Sequence, residues 1–279
     1  MPSRDDYPDD SVQVCLSVLL ELFTYLKPYR DHMVLIGGWV PFFLTEEISD
    51  RVHIGSLDVD LALNTNEIPE TEYETLLERL EARGYHQAQN SQGEIIPARY
   101  VRNVELSNGK MYSVLVDFLA PEYGGTGENH RHQRIQDLLA HKARGSDLVF
   151  VHFIEKEIEG QLPGGAENKE KIKIADPAAC LIMKAIVFGE RRSEKDAYDL
   201  YVLCDSFGVQ EMTKQLRPLR ENKLLQEALD VLREKFDSPR ALGPSSVADF
   251  FSVSGDEADR LKRRAFELVQ AIIAGLEEA

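Results

Sequence analysis

Runs of apolar residues in the first half of the chain predict the strands of a β-sheet. Continuous or alternating apolar positions bounded by turn residues are typical of strands. The predicted strands are residues 33–37, 57–63, 99–106, 111–119, 148–155 and 171–174. The two runs that flank Asn108-Gly109 predict a hairpin, because this dipeptide favours a tight turn between antiparallel strands. Helical spacing predicts a first helix that stops at Pro28 and two more helices at residues 39–47 and 70–83.

The second half of the chain has the apolar spacing of helices almost without interruption. The predicted helices are residues 177–188, 194–206, 209–218, 221–236, 245–252 and 255–277. A strand-rich part followed by a helix-rich part is typical of α+β proteins. The sequence therefore predicts an α+β fold, with a mixed β-sheet in an N-terminal domain of residues 1–175 and a helical C-terminal domain of residues 176–279.

Two carboxylates occupy alternate positions of the second predicted strand. Residues i and i+2 of a strand point to the same face, so Asp58 and Asp60 project together. Leu57, Val59 and Leu61 face the other way, into a core. Neighbouring carboxylates repel each other, and oxygen ligands of this kind suit Mg²⁺. The pair indicates a metal site, and the alternative is an exposed pair on an edge strand.

The glycines after the first predicted strand supply a second functional feature. Gly37 and Gly38 have no Cβ, so their backbone N–H groups can approach a ligand closely. The helix predicted to begin near Trp39 turns the positive end of its dipole toward the same place. This arrangement is typical of a phosphate-binding turn, although a glycine pair on its own is as easily a tight turn.

The glycine turn and the two carboxylates belong to a recognisable combination. It consists of Gly37-Gly38 after a strand, then Ser56, Asp58 and Asp60 on the next strand. The combination resembles the polymerase-β-like nucleotidyltransferase superfamily, and within it the AbiEii-like nucleotidyltransferases, the toxins of type IV toxin–antitoxin systems. The resemblance covers about Met33 to Leu203. It implies that the predicted N-terminal domain has the nucleotidyltransferase fold and is catalytic.

The resemblance also implies a third metal ligand. Family members carry another carboxylate on a neighbouring strand, and Asp117 matches it. Asp58, Asp60 and Asp117 would then hold two Mg²⁺ ions that clamp the attacking and leaving oxygens of an in-line displacement. The glycine turn and Ser56 would contact the nucleotide. The alternative for Asp117 is a carboxylate that caps a turn at a strand end.

Two helical motifs of the family match Lys184 and the pair Asp196 and Asp199. Lys184 lies on an apolar helix face, where an unpaired ammonium is costly to bury. It therefore either contacts the triphosphate or pairs with a carboxylate such as Asp199. The two aspartates share one helix face, and one of them would accept the proton of the substrate hydroxyl or orient Lys184. Ion pairs with Arg191 or Arg192 are the alternative.

Trp39 departs from the family's pattern. Many relatives have Ser or Thr at this position, whose hydroxyl contacts a triphosphate oxygen. The indole of Trp39 can donate only one N–H, or it can stack on a nucleobase. We therefore expect Trp39 to contact the nucleotide, and the alternative is a core aromatic that packs the helix onto the sheet.

Composition narrows the compartment and the partners. The chain has 279 residues and a formal net charge of −16, whereas nucleic-acid-binding proteins usually carry a basic excess or a basic face. The acidity equally suits a cationic small molecule or a basic partner protein. No apolar run is long enough to span a bilayer, and the first residues lack the features of a signal peptide. We expect a cytoplasmic protein with no membrane partner.

One function and two alternatives follow from the sequence. The first is Mg²⁺-dependent transfer of a nucleoside monophosphate from an NTP to an acceptor hydroxyl. The family resemblance implies an RNA acceptor, such as a tRNA 3′ end, and a cognate antitoxin protein. The alternatives are a nucleotidyltransferase that modifies a small molecule, as antibiotic-modifying enzymes do, and a nucleotide-binding module without catalysis.

Overall fold

A computed structural model describes residues 3–48, 53–64, 68, 75–121, 132–135 and 138–278. The chain divides into two compact units. The sheet unit consists of Pro8–Trp39 and Ser56–Ala175, and the helical unit consists of Met1–Tyr7, Val40–Gly55 and Asp176–Ala279. The units meet in sequence at residue 176, where the predicted helical domain begins, but two earlier segments also belong to the helical unit.

The sheet unit contains one mixed sheet, which has nine strands in the described part of the chain. The strands are β1 (Met33–Ile36), β2 (Asp58–Leu63), β3 (Tyr85–Gln89), β4 (Ile95–Glu105), β5 (Met111–Pro121), β6 (His132–Ile135), β7 (Leu138–Ala143), β8 (Phe153–Gln161) and β9 (Glu167–Ala175). Seven of them follow the order β3-β4-β5-β2-β1-β9-β8, while β7 pairs with β5 and β6. The sheet is mixed because β2 runs antiparallel to β1 and parallel to β5.

β2 lies in the middle of this order, and this position explains why its apolar and carboxylate side chains alternate. Val59 and Leu61 are fully buried, whereas Asp58 and Asp60, which alternate with them, are half-buried. A central strand with one apolar face and one carboxylate face needs a core on the first side and a polar environment on the second. The strand therefore places two carboxylates in the middle of the sheet while its apolar side chains remain in the hydrophobic core.

Helices α1 (Asp9–Tyr25) and α3 (Leu76–Glu81) complete the regular helices wholly within the described sheet unit. The side of α1 that packs on the sheet includes one charged residue, Glu21, which is 5% exposed. Its carboxylate accepts hydrogen bonds from Arg102 Nε at 2.9 Å and from the Tyr85 hydroxyl at 2.8 Å. These partners offset the cost of burying the charge.

The helical unit is built from α4 (Pro177–Arg191), α5 (Glu194–Leu216), α6 (Lys223–Lys235), α7 (Leu242–Phe250), α8 (Gly255–Glu277) and most of α2 (Trp39–Thr45). α4 begins where sequence rules place it, because the Asp176 carboxylate accepts the Ala179 N–H at 2.8 Å and Pro177 stands at the first position. Gly208 interrupts α5 with a φ of 69° and a ψ of 169°. The predicted break between residues 206 and 209 lies at this glycine.

The α+β class, with a mixed sheet followed by a helical part, is confirmed. Several local predictions differ from the structure. The strand predicted at residues 148–155 starts later, at Phe153, after a short 3-10 helix at Leu148–Phe150. Strands β3, β6 and β7 were not predicted. Of the helix predicted at 70–83, residues 70–74 lie outside the described part of the chain, and the described remainder is helical at Leu76–Glu81. Across the described residues, no helix combines the length and apolarity that crossing a membrane requires.

Candidate functional site

Three of the predicted site residues come together in the sheet unit. β2 and β5 are parallel neighbours, and their register sets Asp60 directly beside Asp117. Asp58 precedes Asp60 by two residues and shares its face of the strand. Asp117 is 9% exposed and the other two carboxylates are half-buried. We call these three residues the aspartate face.

The turn after β1 closes against the aspartate face. Gly37 has a φ of +75°, and a Cβ built on it would lie 1.9 Å from Asp60 Oδ2. The position excludes every side chain twice, by its backbone conformation and by the space that Asp60 fills. The Asp60 carboxylate therefore packs directly on the backbone of the turn, and phosphate binding by this turn stays a prediction. Gly38 follows it and is buried.

Ser56 also belongs to this group, with a role that its sequence position did not reveal. Its hydroxyl donates to Asp58 Oδ1 at 2.6 Å, and the residue is 4% exposed. A short hydrogen bond to a carboxylate fixes the direction in which that carboxylate points. Ser56, predicted to contact the nucleotide, thus orients Asp58 in the structure.

Arg99 is the cation that sequence reasoning missed. It lies opposite Asp117 in the β4–β5 hairpin and binds it through both oxygens, with Nε to Oδ1 at 2.8 Å and Nη2 to Oδ2 at 2.6 Å. These hydrogen bonds raise the pKa of Arg99 above its usual value, and the charges of Asp58 and Asp60 add to the effect. Counting back from the Asn108-Gly109 turn would have placed Arg99 opposite Asp117.

The metal centre on Asp58, Asp60 and Asp117 stays a prediction. Within the described ranges, no group of three or more His, Cys, Asp or Glu side chains is arranged to hold a metal ion. In the structure Arg99 engages both oxygens of Asp117. Asp58 and Asp60 have the chemistry to hold one Mg²⁺, which commonly takes one or two carboxylates and completes its shell with water and phosphate. An ion on Asp117 would compete with Arg99 for the same two oxygens.

Trp39 is a core residue, which corrects the expectation that it contacts the nucleotide. Its ring is fully buried, and its indole N–H donates to Cys15 Sγ on α1 at 3.3 Å. A ring with no accessible face cannot stack on a base. Burial also raises the pKa of the Cys15 thiol well above its usual range, so the acceptor stays a neutral thiol.

The other predicted residues come together in the helical unit. Lys184 Nζ lies 2.6 Å from Asp199 Oδ2 and 3.3 Å from Asp196 Oδ1. Arg191 also binds Asp196 through both oxygens, at 2.6 and 2.9 Å. These contacts favour the ion-pair alternative for Lys184 over contact with a triphosphate. Both aspartates are fully buried, and the Arg191–Asp196 contact is the ion pair that the sequence offered as the alternative role.

Two further residues complete this cluster and were absent from the predicted site. Lys195, one turn before Asp199, donates to Asp199 Oδ1. His53 Nε2 lies 2.9 Å from the same oxygen, although 146 residues separate the two in sequence. We call His53, Lys184, Lys195, Asp196 and Asp199 the buried charge cluster.

The charges of the cluster hold one another in place. Burial alone would raise the pKa of Asp199, but Lys184, Lys195 and the hydrogen bond to His53 lower it well below its usual range. Burial would lower the pKa of Lys184, but Asp199 and Asp196 raise it above its usual value. Asp199 and Lys184 therefore stay charged throughout the physiological range, and the pair behaves as a permanent ion pair.

His53 is neutral in the folded protein. Its Nδ1 accepts the Gly55 N–H at 3.0 Å, so the ring proton is on Nε2 and is donated to Asp199. Burial, with the charge of Lys195 as the next cause, lowers the pKa of His53 to about 4. A neutral, fully buried histidine of this kind makes folding sensitive to acid.

Comparison with known proteins adds a distant structural similarity. No protein-family model matches the chain, and no curated protein sequence matches it. The chain is similar to the crystal structure of an antigenic nucleotidyltransferase-like protein from Paracoccidioides brasiliensis, with 14% sequence identity and a TM-score of 0.46. The match covers 88% of this chain and 98% of that chain. A similarity of this extent does not carry a function from one protein to the other.

Gly37→Ala is expected to destabilise the protein far more than Gly109→Ala. Both glycines have positive φ, at 75° and 79°, but a Cβ at Gly109 would meet nothing within 4 Å. The backbone term alone is about 1–2 kcal/mol, and the clash with Asp60 should bring the loss at Gly37 to about 3 kcal/mol or more. Urea unfolding of the two variants measures the difference, and equal losses would show that Asp60 does not pack on the turn.

Lys184→Met should lower the free energy of unfolding by about 3 kcal/mol, because it leaves part of a buried ion pair without its partner. Nucleotide affinity should stay unchanged. Lys214→Met is the matched control, since Lys214 pairs with Glu211 on an exposed part of α5 and its loss should leave stability unchanged. Weaker NTP binding at unchanged stability would instead assign Lys184 to the substrate.

His53 should make stability fall between pH 6.5 and about 4. The unfolded chain binds the imidazole proton below pH 6.5, but the folded protein does not bind it until about pH 4, so acid favours unfolding by about 3 kcal/mol across this window. His53→Gln should remove that part of the pH dependence, and the exposed control His86→Gln should retain it. Urea titrations at pH 7 and pH 4.5 measure the free energy of unfolding of each protein. An equal decrease at pH 4.5 in His53→Gln and in the unchanged protein would contradict this account.

Proposed function

We propose that the sheet unit binds a nucleoside triphosphate and transfers its nucleotidyl group to an acceptor hydroxyl. The observation that carries the proposal is the aspartate face beside the Gly37 turn. Asp58 and Asp60 share one face of a central strand, and the backbone of a glycine turn lies against Asp60. Carboxylates that attract a divalent cation, next to a turn without side chains, offer the two features that a polyphosphate needs.

Each residue has a distinct part in this proposal. Asp58 and Asp60 would hold Mg²⁺, which supplies positive charge to the phosphates when bound. Ser56 keeps Asp58 pointed in one direction through its 2.6 Å hydrogen bond. Gly37 lets the main chain come close to Asp60, so a phosphate near the turn would also lie near the cation. Asp117 adds negative charge, which Arg99 balances.

The acceptor is the finer part of the proposal. The resemblance of the motifs to AbiEii-like toxins supports an RNA acceptor, such as the 3′ end of a tRNA, and a cognate antitoxin protein. The net charge of −16 favours a second candidate, a small cationic acceptor of the kind that antibiotic-modifying nucleotidyltransferases use. The bidentate Arg99–Asp117 pair favours a third, a nucleotide-binding module without catalysis.

One assay separates the three candidates. ATP, CTP, GTP and UTP labelled at the α-phosphate are offered with Mg²⁺ and either total RNA or a panel of cationic aminoglycosides. Labelled RNA supports the toxin-like function, and a labelled small molecule supports the second candidate. NTP binding without label transfer supports the binding module. Absence of both binding and transfer would contradict the proposal as a whole.

Asp58→Asn and Asp60→Asn should each abolish label transfer while the fold stays intact. Each change removes a charged ligand for the cation, and it also relieves repulsion between neighbouring carboxylates. Unfolding free energy without Mg²⁺ should therefore be equal to or slightly above that of the unchanged protein. Glu105→Gln, an exposed carboxylate on β4, is the control and should retain full transfer. Undiminished transfer by both aspartate variants would remove the aspartate face from the reaction.

A further inference from the structure

Arg99 is fixed in position before any substrate arrives. It belongs to the β4–β5 hairpin, in which Arg99 lies opposite Asp117. On its other side, Asp117 lies beside Asp60 of β2. The two hydrogen bonds to Asp117, at 2.8 and 2.6 Å, have the parallel geometry in which a guanidinium binds a carboxylate most strongly. Movement of Arg99 away from Asp117 would require both bonds to break.

The backbone next to Arg99 is strained in a way that aims its side chain. Ala98 is fully buried and has a φ of +64°, a conformation that residues other than glycine rarely adopt. The register between β3 and β4 shifts over the same stretch, between Gln87 and Gln89. Irregularities of this kind re-aim a side chain and cluster at functional sites. Ala98 lies within the stretch of β4 that pairs irregularly with β3, and the regular pairing of β4 with β5 begins at Arg99.

Charge explains what this placement achieves. Three carboxylates on one face would repel one another, and the guanidinium supplies the compensating charge on one side of them. The negative charges of Asp58 and Asp60 reach Arg99 as well as that of Asp117. The Arg99 side chain is 36% exposed, so a bound phosphate could approach it from solvent.

We infer that Arg99 is the built-in cation of the aspartate face and takes the place of a second metal ion on Asp117, so that the site binds one divalent ion instead of two. This inference rests on the proposed function, since it concerns how the same site balances the charge of a nucleotide. Arginine suits this task because it stays protonated and presents several donors in a fixed plane. Asp117 then serves to hold Arg99, and Asp58 and Asp60 are the residues left to bind the metal.

Mn²⁺ can replace Mg²⁺ as a spectroscopic probe of this count. Equimolar protein and an α,β-methylene NTP are titrated with Mn²⁺, and electron paramagnetic resonance reports both the bound ions and the dipolar coupling of any two ions about 4 Å apart. The unchanged protein should bind about one uncoupled ion per chain. Arg99→Gln should bind about two coupled ions, because it frees Asp117, while Arg99→Lys keeps a cation there and should bind one.

Asp117→Asn locates the second ion. In the Arg99→Gln background it should return the count to one uncoupled ion. A coupled pair in the unchanged protein, or a single ion in a folded Arg99→Gln variant, would overturn the role of Arg99 and leave the proposed function intact. If Arg99→Gln fails to fold, the count in the unchanged protein and in Arg99→Lys still decides. Mn²⁺ binding that is identical in the unchanged protein and in Asp58→Asn/Asp60→Asn would overturn the proposed function itself.

Discussion

The arrangement of the sheet unit depends on balancing the negative charge of three aspartates that strand register forces together. Asp60 and Asp117 are neighbours because β2 and β5 pair in parallel, and Asp58 joins them because strand residues alternate between faces. Such a group is unfavourable unless cations or hydrogen-bond donors surround it. Arg99 and Ser56 supply part of this compensation through short, directed bonds. A divalent cation would supply the rest, and in the proposed function the same cation also attracts the phosphates of a nucleotide.

The helical unit balances its buried charges among its own side chains. Its buried charge cluster brings two lysines onto Asp199 and balances Asp196 with Lys184 and Arg191. Because its members neutralise one another, the cluster is best understood as a structural element whose loss destabilises the fold. His53 takes part as a neutral donor, which links the stability of this unit to pH. The two charge groups therefore differ: the members of the cluster pair with one another, whereas Asp58 and Asp60 are half-buried and lie beside a glycine turn.

Features that depend on neighbouring residues could be predicted from the sequence. The alternation of β2, the proline start of α4 and the break at Gly208 each follow from the chemistry of a few consecutive residues. The α+β class follows from the order of such elements. The Arg99–Asp117 pair lies within the same reach, since one hairpin turn fixes its register.

Features that depend on distant residues could not be predicted. His53 contacts Asp199 although 146 residues separate them, and no local spacing predicts that contact. Trp39 follows a glycine turn that suggests a ligand site, yet the space under α1 and the Cys15 acceptor decide that it is buried. Lys184 has the same sequence context whether it pairs or binds a phosphate. In each case the environment of the side chain is set by tertiary packing, which overrides the local pattern.

A crystal structure with Mn²⁺ and a non-hydrolysable NTP tests the central claim most directly. Anomalous scattering identifies each Mn²⁺ position separately from water and protein density. The account predicts one ion bound by oxygens of Asp58 and Asp60 at about 2.2 Å, with the triphosphate beside the Gly37 turn and Arg99 still paired with Asp117. Nucleotide bound elsewhere in the protein, with no ion on Asp58 or Asp60, would contradict it.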